Sequence, residues 1–138
     1  MPQFERVALN PATAPRPLGA YSHAVRVTAG SMLYVAGQVG VDANGNLVGP
    51  GDVAAQTRQV LHNIGSVLAG AGASFANVVE FTTYLVGRES SQPFIDARTQ
   101  VFPGLYPNGD YPPNTLLIIS GLVLEEFLVE ISAVAALP

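Results

Sequence analysis

The sequence predicts an α+β fold in the order β-β-α-β-α-β-β, with a mainly antiparallel sheet and both helices on one face. Three observations predict it. Two segments carry apolar residues at helical spacing, other segments alternate with the period of a strand, and the last strand has one fully apolar face on which helices can pack. With 138 residues, the chain is expected to form one domain spanning residues 1–138.

The N-terminal half is expected to contain an arm, two strands and a helix. The first twenty residues carry four prolines and no periodicity, which is typical of an extended arm. Strands are expected at 22–27 and 31–39, and the short link between them could form a hairpin. Asp52 is a suitable N-cap for the first helix, which Gly70 and Gly72 end.

The first helix has a clear apolar stripe and a polar remainder. The stripe consists of Val53, Thr57, Val60, Leu61, Ile64, Val67, Leu68 and Ala71. Gln56 falls largely off this stripe. For Gln59, His62 and Asn63 the expected environment is the solvated face of the helix.

The C-terminal half is expected to add a strand at 77–86, a second helix and two closing strands at 114–120 and 127–136. Pro93 suits the first turn of this helix, which is expected to end near Phe102. One side of it carries Phe94, Ala97, Arg98 and Val101. The loop that follows carries Tyr106 and Tyr111, which could cover a pocket or simply pack the loop.

Glu130 is the most informative side chain, because it lies within an otherwise apolar strand. Alternation places it on one face, while Val129, Ile131 and Ala133 share the other. A buried carboxylate must be hydrogen-bonded, paired or protonated, and such a group is a candidate acid or base. The alternative is a solvent-facing glutamate on an edge strand or at a subunit interface.

Two further sequence features bear on function. Adjacent strand residues point to opposite faces, so Ser22 and His23 are not expected to form the nucleophile and base of a hydrolase. Glycine inside an apolar strand, as at Gly37, marks either close approach by another group or simple packing.

The composition excludes several classes of chemistry. The chain has no cysteine and no lysine, which excludes thiolate nucleophiles, thiolate metal sites and Schiff-base lysines. Its two histidines, His23 and His62, have no ligand-like spacing, so a dedicated metal site is not expected.

Charge and hydropathy indicate the surroundings of the chain. A formal net charge of −4 gives no electrostatic footprint for nucleic acid. No apolar run approaches the roughly 20 residues of a membrane helix, so a soluble, cytoplasmic protein is expected. Because 49% of the residues are hydrophobic and only 12% are charged, a homo-oligomer is expected.

Four segments stand out together: residues 19–24 (GAYSHA), 34–38 (YVAGQ), 55–64 (AQTRQVLHNI) and 129–135 (VEISAVA). In this order they resemble segments of the Rid family, also called YjgF, the reactive-intermediate deaminases. The resemblance spans nearly the whole chain. It implies a chorismate-mutase-like fold, a homotrimer with three clefts between subunits, and hydrolysis of imines and enamines such as 2-iminopropionate and 2-aminoacrylate to a ketoacid and ammonia.

The resemblance also implies roles for individual residues. Glu130 would position or activate the hydrolytic water, and Tyr21 would line the pocket beside it as a second catalytic-site residue. The resemblance implies the following substrate-binding positions: Gly37, Ala36, Ile95, Asn114 and Thr115. No metal or cofactor is implied, because an imine already hydrolyses in water and needs only orientation, a water and a proton carrier.

Three of these positions depart from the family pattern. Deaminating members carry an arginine that clamps the substrate carboxylate where this chain has Asn114, and Ala36 and Ile95 replace polar residues. An amide cannot replace a guanidinium in such a clamp. We therefore expect a less anionic substrate than 2-aminoacrylate or 2-iminopropionate, unless another arginine reaches the cleft, the candidates being Arg26, Arg88 and Arg98.

Two other functions remain open at the level of sequence. The first is a non-catalytic trimer whose clefts bind a metabolite and regulate something else. The second is ribonuclease activity, which has been attributed to some relatives and which the acidic composition and the absence of lysine oppose.

Overall fold

A computed structural model describes residues 3–138. It confirms the α+β class, with one strand more than expected at the N-terminus. The elements are β1 (Glu5–Leu9), β2 (Ala24–Thr28), β3 (Ser31–Val39), α1 (Val53–Gly70), β4 (Val78–Val86), α2 (Ser91–Leu105), β5 (Asn114–Ile119) and β6 (Val129–Leu137). Short 3-10 turns, Phe75–Asn77 and Arg88–Ser90, precede β4 and α2.

The main sheet has the strand order β3-β6-β4-β5. The pairs β3/β6 and β6/β4 are antiparallel, and β4/β5 is parallel. The parallel pair arises because the chain crosses over through α2 between β4 and β5, the connection that a parallel pair requires. The mainly antiparallel sheet is confirmed.

The expected N-terminal arm and hairpin are both corrected by the structure. Part of the arm is β1, which pairs antiparallel with β2 so that Glu5 lies opposite Thr28. The predicted hairpin of β2 and β3 is wrong, because β3 pairs with β6 instead. The backbone N–H of Gly30 donates to the carbonyl of Leu137 at 2.9 Å, so the chain enters the main sheet directly after β2.

Both helices pack on one face of the main sheet, as predicted. Asp52 caps α1 by accepting a hydrogen bond from the Ala55 N–H at 3.0 Å. The core between helices and sheet contains these fully or almost fully buried residues: Val60, Leu61, Ile64, Leu68, Phe94, Val129, Ile131, Ala133 and Ala135. Burial of one face of β6 therefore orients its other face, including Glu130, away from the helices.

The polar side of α1 is less solvated than the sequence indicates. His62 is exposed as expected, but Asn63 donates to the carbonyls of Val39 and Val41 at 3.1 and 2.9 Å. Gln56 is fully buried. Its amide donates to two loop carbonyls and its Oε1 accepts from the Leu128 N–H, so it joins the loop before α1 to the loop before β6.

Candidate functional site

Glu130 lies half-buried on the helix-free face of the main sheet. Its neighbours in register are Val39 on β3 and Tyr84 on β4, so β6 is an internal strand. The alternative of an edge-strand glutamate is therefore wrong, while that of a subunit-interface glutamate stays open. The carboxylate is accessible only from the side of the sheet that bears no helix within residues 3–138.

Gly37 makes room for this carboxylate. The register of β3 against β6 shifts between Val35 and Gln38, which places Gly37 in a bulge. A Cβ on Gly37 would lie 2.8 Å from Glu130 Cδ and 3.0 Å from Glu130 Cγ, well inside ordinary contact. The group that approaches Gly37 closely is thus the Glu130 side chain, and the neighbouring Ala36 is exposed beside it.

Three other sequence-predicted residues meet in a different place, at the β5 edge of the sheet. Tyr21, Ile95 and Asn114 line an open pocket of about 350 Å³, called here the α2–β5 pocket. Its remaining lining residues are Leu18, Gly19, Arg98 and Leu116. Helical spacing brings Ile95 and Arg98 to the same side of α2. The volume is within the range of pockets that bind small molecules.

Asn114 is held at the start of β5 by its surroundings. Its Oδ1 accepts a hydrogen bond from the hydroxyl of Thr83 at 2.8 Å. The preceding Pro113 carbonyl accepts from the Phe81 N–H at 2.9 Å, which fixes the proline-rich loop to β4. Thr115 alternates to the helix-free face and is exposed there, so the structure does not bring it together with Asn114.

Arg98 is the one of the three candidate arginines that reaches the pocket, and the sequence-based prediction does not distinguish it from the other two. It is 6% exposed, and its guanidinium carbon lies 5.2 Å from the centroid of the Phe94 ring and 6.0 Å from that of Phe102. Its position on the buried side of α2 was already visible in the helical spacing. Of the other two candidate arginines, Arg26 and Arg88 are exposed outside the pocket.

The ionisation of Arg98 reflects this environment. Burial lowers the pKa of the Arg98 guanidinium below its usual value, and the neighbouring hydroxyls of Tyr21 and Tyr111 partly oppose that effect. An arginine remains protonated under such conditions. The pocket therefore contains a fixed positive charge.

The loop tyrosines mainly pack the fold. Tyr106 is 2% exposed and its hydroxyl donates to the Phe75 carbonyl at 2.8 Å. Tyr111 stacks on Phe102 with ring centroids 5.9 Å apart. Of the two interpretations left open, packing is the one the contacts support.

Other candidate centres are absent from the described part of the chain. Ser22 is buried and His23 exposed, so they do not form a nucleophile and base pair. No cluster of three or more metal-ligating side chains occurs within residues 3–138. No helix there is long and apolar enough to cross a membrane.

The predicted site residues thus form two groups on opposite faces of one sheet. Glu130, Gly37 and Ala36 are on the helix-free face, whereas Tyr21 and Asn114 line the α2–β5 pocket on the helix side. A single small ligand cannot reach both groups within one chain. A site that uses both needs a second copy of the chain.

Sequence comparison gives consistent matches. A family model described as endoribonuclease L-PSP matches residues 11–137. A 2-iminobutanoate/2-iminopropanoate deaminase from Bos taurus is 39% identical over 108 residues, covering 78% of this chain and 77% of the relative. A RutC family protein from Pyrococcus horikoshii is 33% identical over 122 residues, covering 88% of this chain and 90% of the relative.

Solved structures of Rid and YjgF family members superpose on this chain. A protein of unknown function of the Rid family from Yersinia pestis, YyfB, superposes with a TM-score of 0.86 at 39% identity, covering 96% of this chain and 98% of that one. A member of the YjgF family from Mycobacterium tuberculosis gives a TM-score of 0.64 at 28% identity, covering 96% of this chain and 100% of that one. The family model over residues 11–137, these relatives and these structures together show that the chain belongs to the Rid (YjgF/RutC) family.

Proposed function

We propose that the protein hydrolyses a small reactive imine or enamine to a carbonyl compound and ammonia, with Glu130 positioning and deprotonating the water. The observation that carries this proposal is the position of the Glu130 carboxylate. It lies on the otherwise apolar strand β6 and packs against Gly37 of β3. Family membership supports it, as do relatives named 2-iminobutanoate/2-iminopropanoate deaminase at 38–39% identity.

The chemistry fits a single carboxylate. The water oxygen bonds to the carbon of the C=N group while the carboxylate takes a proton from the water and passes it to nitrogen. The carboxylate then takes the hydroxyl proton of the carbinolamine and delivers it to the nitrogen as the C–N bond breaks, which gives the C=O product and ammonia. An enamine first accepts a proton on carbon and releases one from nitrogen, which gives the imine. Such proton transfer typically contributes about 10²- to 10⁴-fold in rate.

The proposed site lies between copies of the chain, which we expect to form a homotrimer. Glu130 of one copy would face the α2–β5 pocket of its neighbour, because one chain holds these groups on opposite faces of its sheet. The helix-free face supports association, since Tyr34 is 76% exposed, Met32 44% and Leu117 42%. Apolar side chains this exposed on one sheet face favour burial against another subunit.

Two other functions have different consequences. A non-catalytic metabolite-binding trimer is favoured by the departures at Ala36, Ile95 and Asn114, and it predicts saturable binding without product. The family description names an endoribonuclease, but the net charge of −4 and the lack of lysine oppose binding to a phosphate backbone.

The test is ammonia release by Glu130→Gln compared with the wild type. We expect kcat to fall by about 10²-fold or more, because the amide cannot accept the water proton. Glu80→Gln is the matched control, since Glu80 is exposed and, like Glu130, lies on an internal strand, here β4. Equal activity of the two variants would remove Glu130 from the mechanism, and binding without turnover by the wild type would favour the regulatory trimer.

A further inference from the structure

Arg98 is a buried cation without a complete set of partners. Its Nε has no hydrogen-bond acceptor among residues 3–138, and the ion pair found there joins Arg6 to Asp110 instead. A charged group that is 94% buried and incompletely paired is costly to the fold. Such a group is retained most readily where it binds an anion from outside the chain.

The guanidinium is placed where a ligand can reach it. Arg98 lines the α2–β5 pocket together with Tyr21 and Asn114. A Cβ on Gly19 would lie 3.2 Å from Arg98 Nη2, so the guanidinium extends to the wall of the pocket formed by Gly19. Arg98 and Asn114 also border the same small cavity, of about 10 Å³, so both side chains face one space.

The aromatic rings beside Arg98 restrict its orientation. The guanidinium packs near the faces of Phe94 and Phe102, which attract a cation and leave its edge free for hydrogen bonds. A planar fork held in this way suits a carboxylate, which accepts two parallel N–H donors.

The polar groups around Arg98 are donors rather than competitors. The Oδ1 of Asn114 is occupied by Thr83, which leaves its amide N–H groups for the pocket. The hydroxyl oxygen of Tyr21 accepts from the Leu18 N–H at 3.2 Å, so its own proton can be donated. None of the side chains that line the pocket in the described part of the chain is acidic.

We infer that Arg98, on α2, binds the carboxylate of the substrate in place of the arginine that Asn114 replaces on β5. The substrate of the proposed reaction is then a 2-imino acid or its enamine tautomer, and the loss of charge at position 114 does not make the cleft selective for neutral imines. This inference rests on the proposed function for its reaction, but the carboxylate site itself can be tested without turnover.

The test compares two stable ligands of the same skeleton, pyruvate and its neutral methyl ester, by calorimetric or NMR titration. We expect the wild type to bind pyruvate roughly tenfold or more tightly than methyl pyruvate, because the charge-assisted fork acts only on the carboxylate. Arg98→Met should lose this preference. Arg58→Met removes an exposed arginine of α1 and should retain it. A wild type without the preference, or an Arg98→Met variant that keeps it, overturns the inference.

A second variant covers the case in which Arg98→Met fails to fold. Asn114→Asp adds a carboxylate to the pocket, where it pairs with Arg98 and competes with the ligand, so the preference for pyruvate should again disappear. Retention of that preference in Asn114→Asp contradicts the inference.

Failure of the proposed imine hydrolysis and failure of carboxylate binding at Arg98 give different results. A pyruvate preference that depends on Arg98, in a protein that does not release ammonia from any 2-imino acid, would leave the carboxylate site standing and remove the proposed reaction. If the protein turns over a 2-imino acid and Arg98→Met leaves the KM unchanged, the proposed reaction stands and the carboxylate site at Arg98 is removed.

Discussion

Replacement of Gly37 by alanine is expected to displace the Glu130 carboxylate while leaving the fold intact. The new Cβ would lie 2.8 Å from Glu130 Cδ, and ordinary contact begins at 3.4 Å, so Cδ must move by about 0.6 Å and the carboxylate oxygens by more. A misplacement of about 1 Å in an active site can cost about 10²-fold in rate. We therefore expect kcat to fall roughly ten- to hundredfold, within the range that this misplacement allows.

The stability of Gly37→Ala should change little, because the group that must move is the end of a flexible side chain rather than backbone. Kinetics with a 2-imino acid and urea unfolding of the same preparation measure both quantities. Gly104→Ala is the control, since a Cβ at this α2 position meets no atom within 4 Å. Full activity of Gly37→Ala would refute the view that the position of Glu130 governs the reaction, and unfolding of the variant would refute the account of the bulge.

Two further predictions concern stability. Gln56→Leu leaves two partly buried loop carbonyls and the Leu128 N–H without their partner, so urea unfolding should show a loss of about 3 kcal/mol. The exposed Gln100→Leu should cost almost nothing. Burial raises the pKa of Tyr106 above its ordinary value of 10.0. The folded state then keeps a proton that the unfolded chain releases, so stability should be constant below about pH 10 and fall above it. Tyr106→Phe should reduce that fall and cost about 1 kcal/mol at neutral pH through the lost hydrogen bond to Phe75.

The sequence predicts well those helices and strands that bury only one of their faces in the core. The stripe of α1, apart from the exposed Val67 and Ala71, and the two faces of β6 follow from periodicity, because a helix or strand packed on one side must repeat its apolar residues with the period of the element. The face of Glu130 was therefore predictable.

The features that the sequence does not reveal depend on contacts between distant segments. The pairing of β1 with β2 cannot be read from a short strand without alternation, and it displaces the expected hairpin. Gln56 belongs to the polar side by spacing, but the loops that fold over it bury it. The lack of an acceptor for Arg98 Nε among residues 3–138 depends on α2, β5 and the segment before β2 meeting at one pocket.

The sequence also does not show that the candidate site residues form two groups on opposite faces of the sheet. Ordered motifs suggest one site, yet Glu130 and Asn114 take opposite faces of one sheet because each follows the alternation of its own strand. That separation is the reason that the proposed site is expected to form between copies of the chain.

Catalysis of imine hydrolysis is tested by the rate at which the wild-type protein removes 2-iminopropionate generated by an amino-acid oxidase. We expect a decay that accelerates in proportion to protein concentration, with pyruvate and ammonia formed in equal amounts. A decay equal to the uncatalysed rate at every protein concentration, for this and other 2-imino acids, would contradict it.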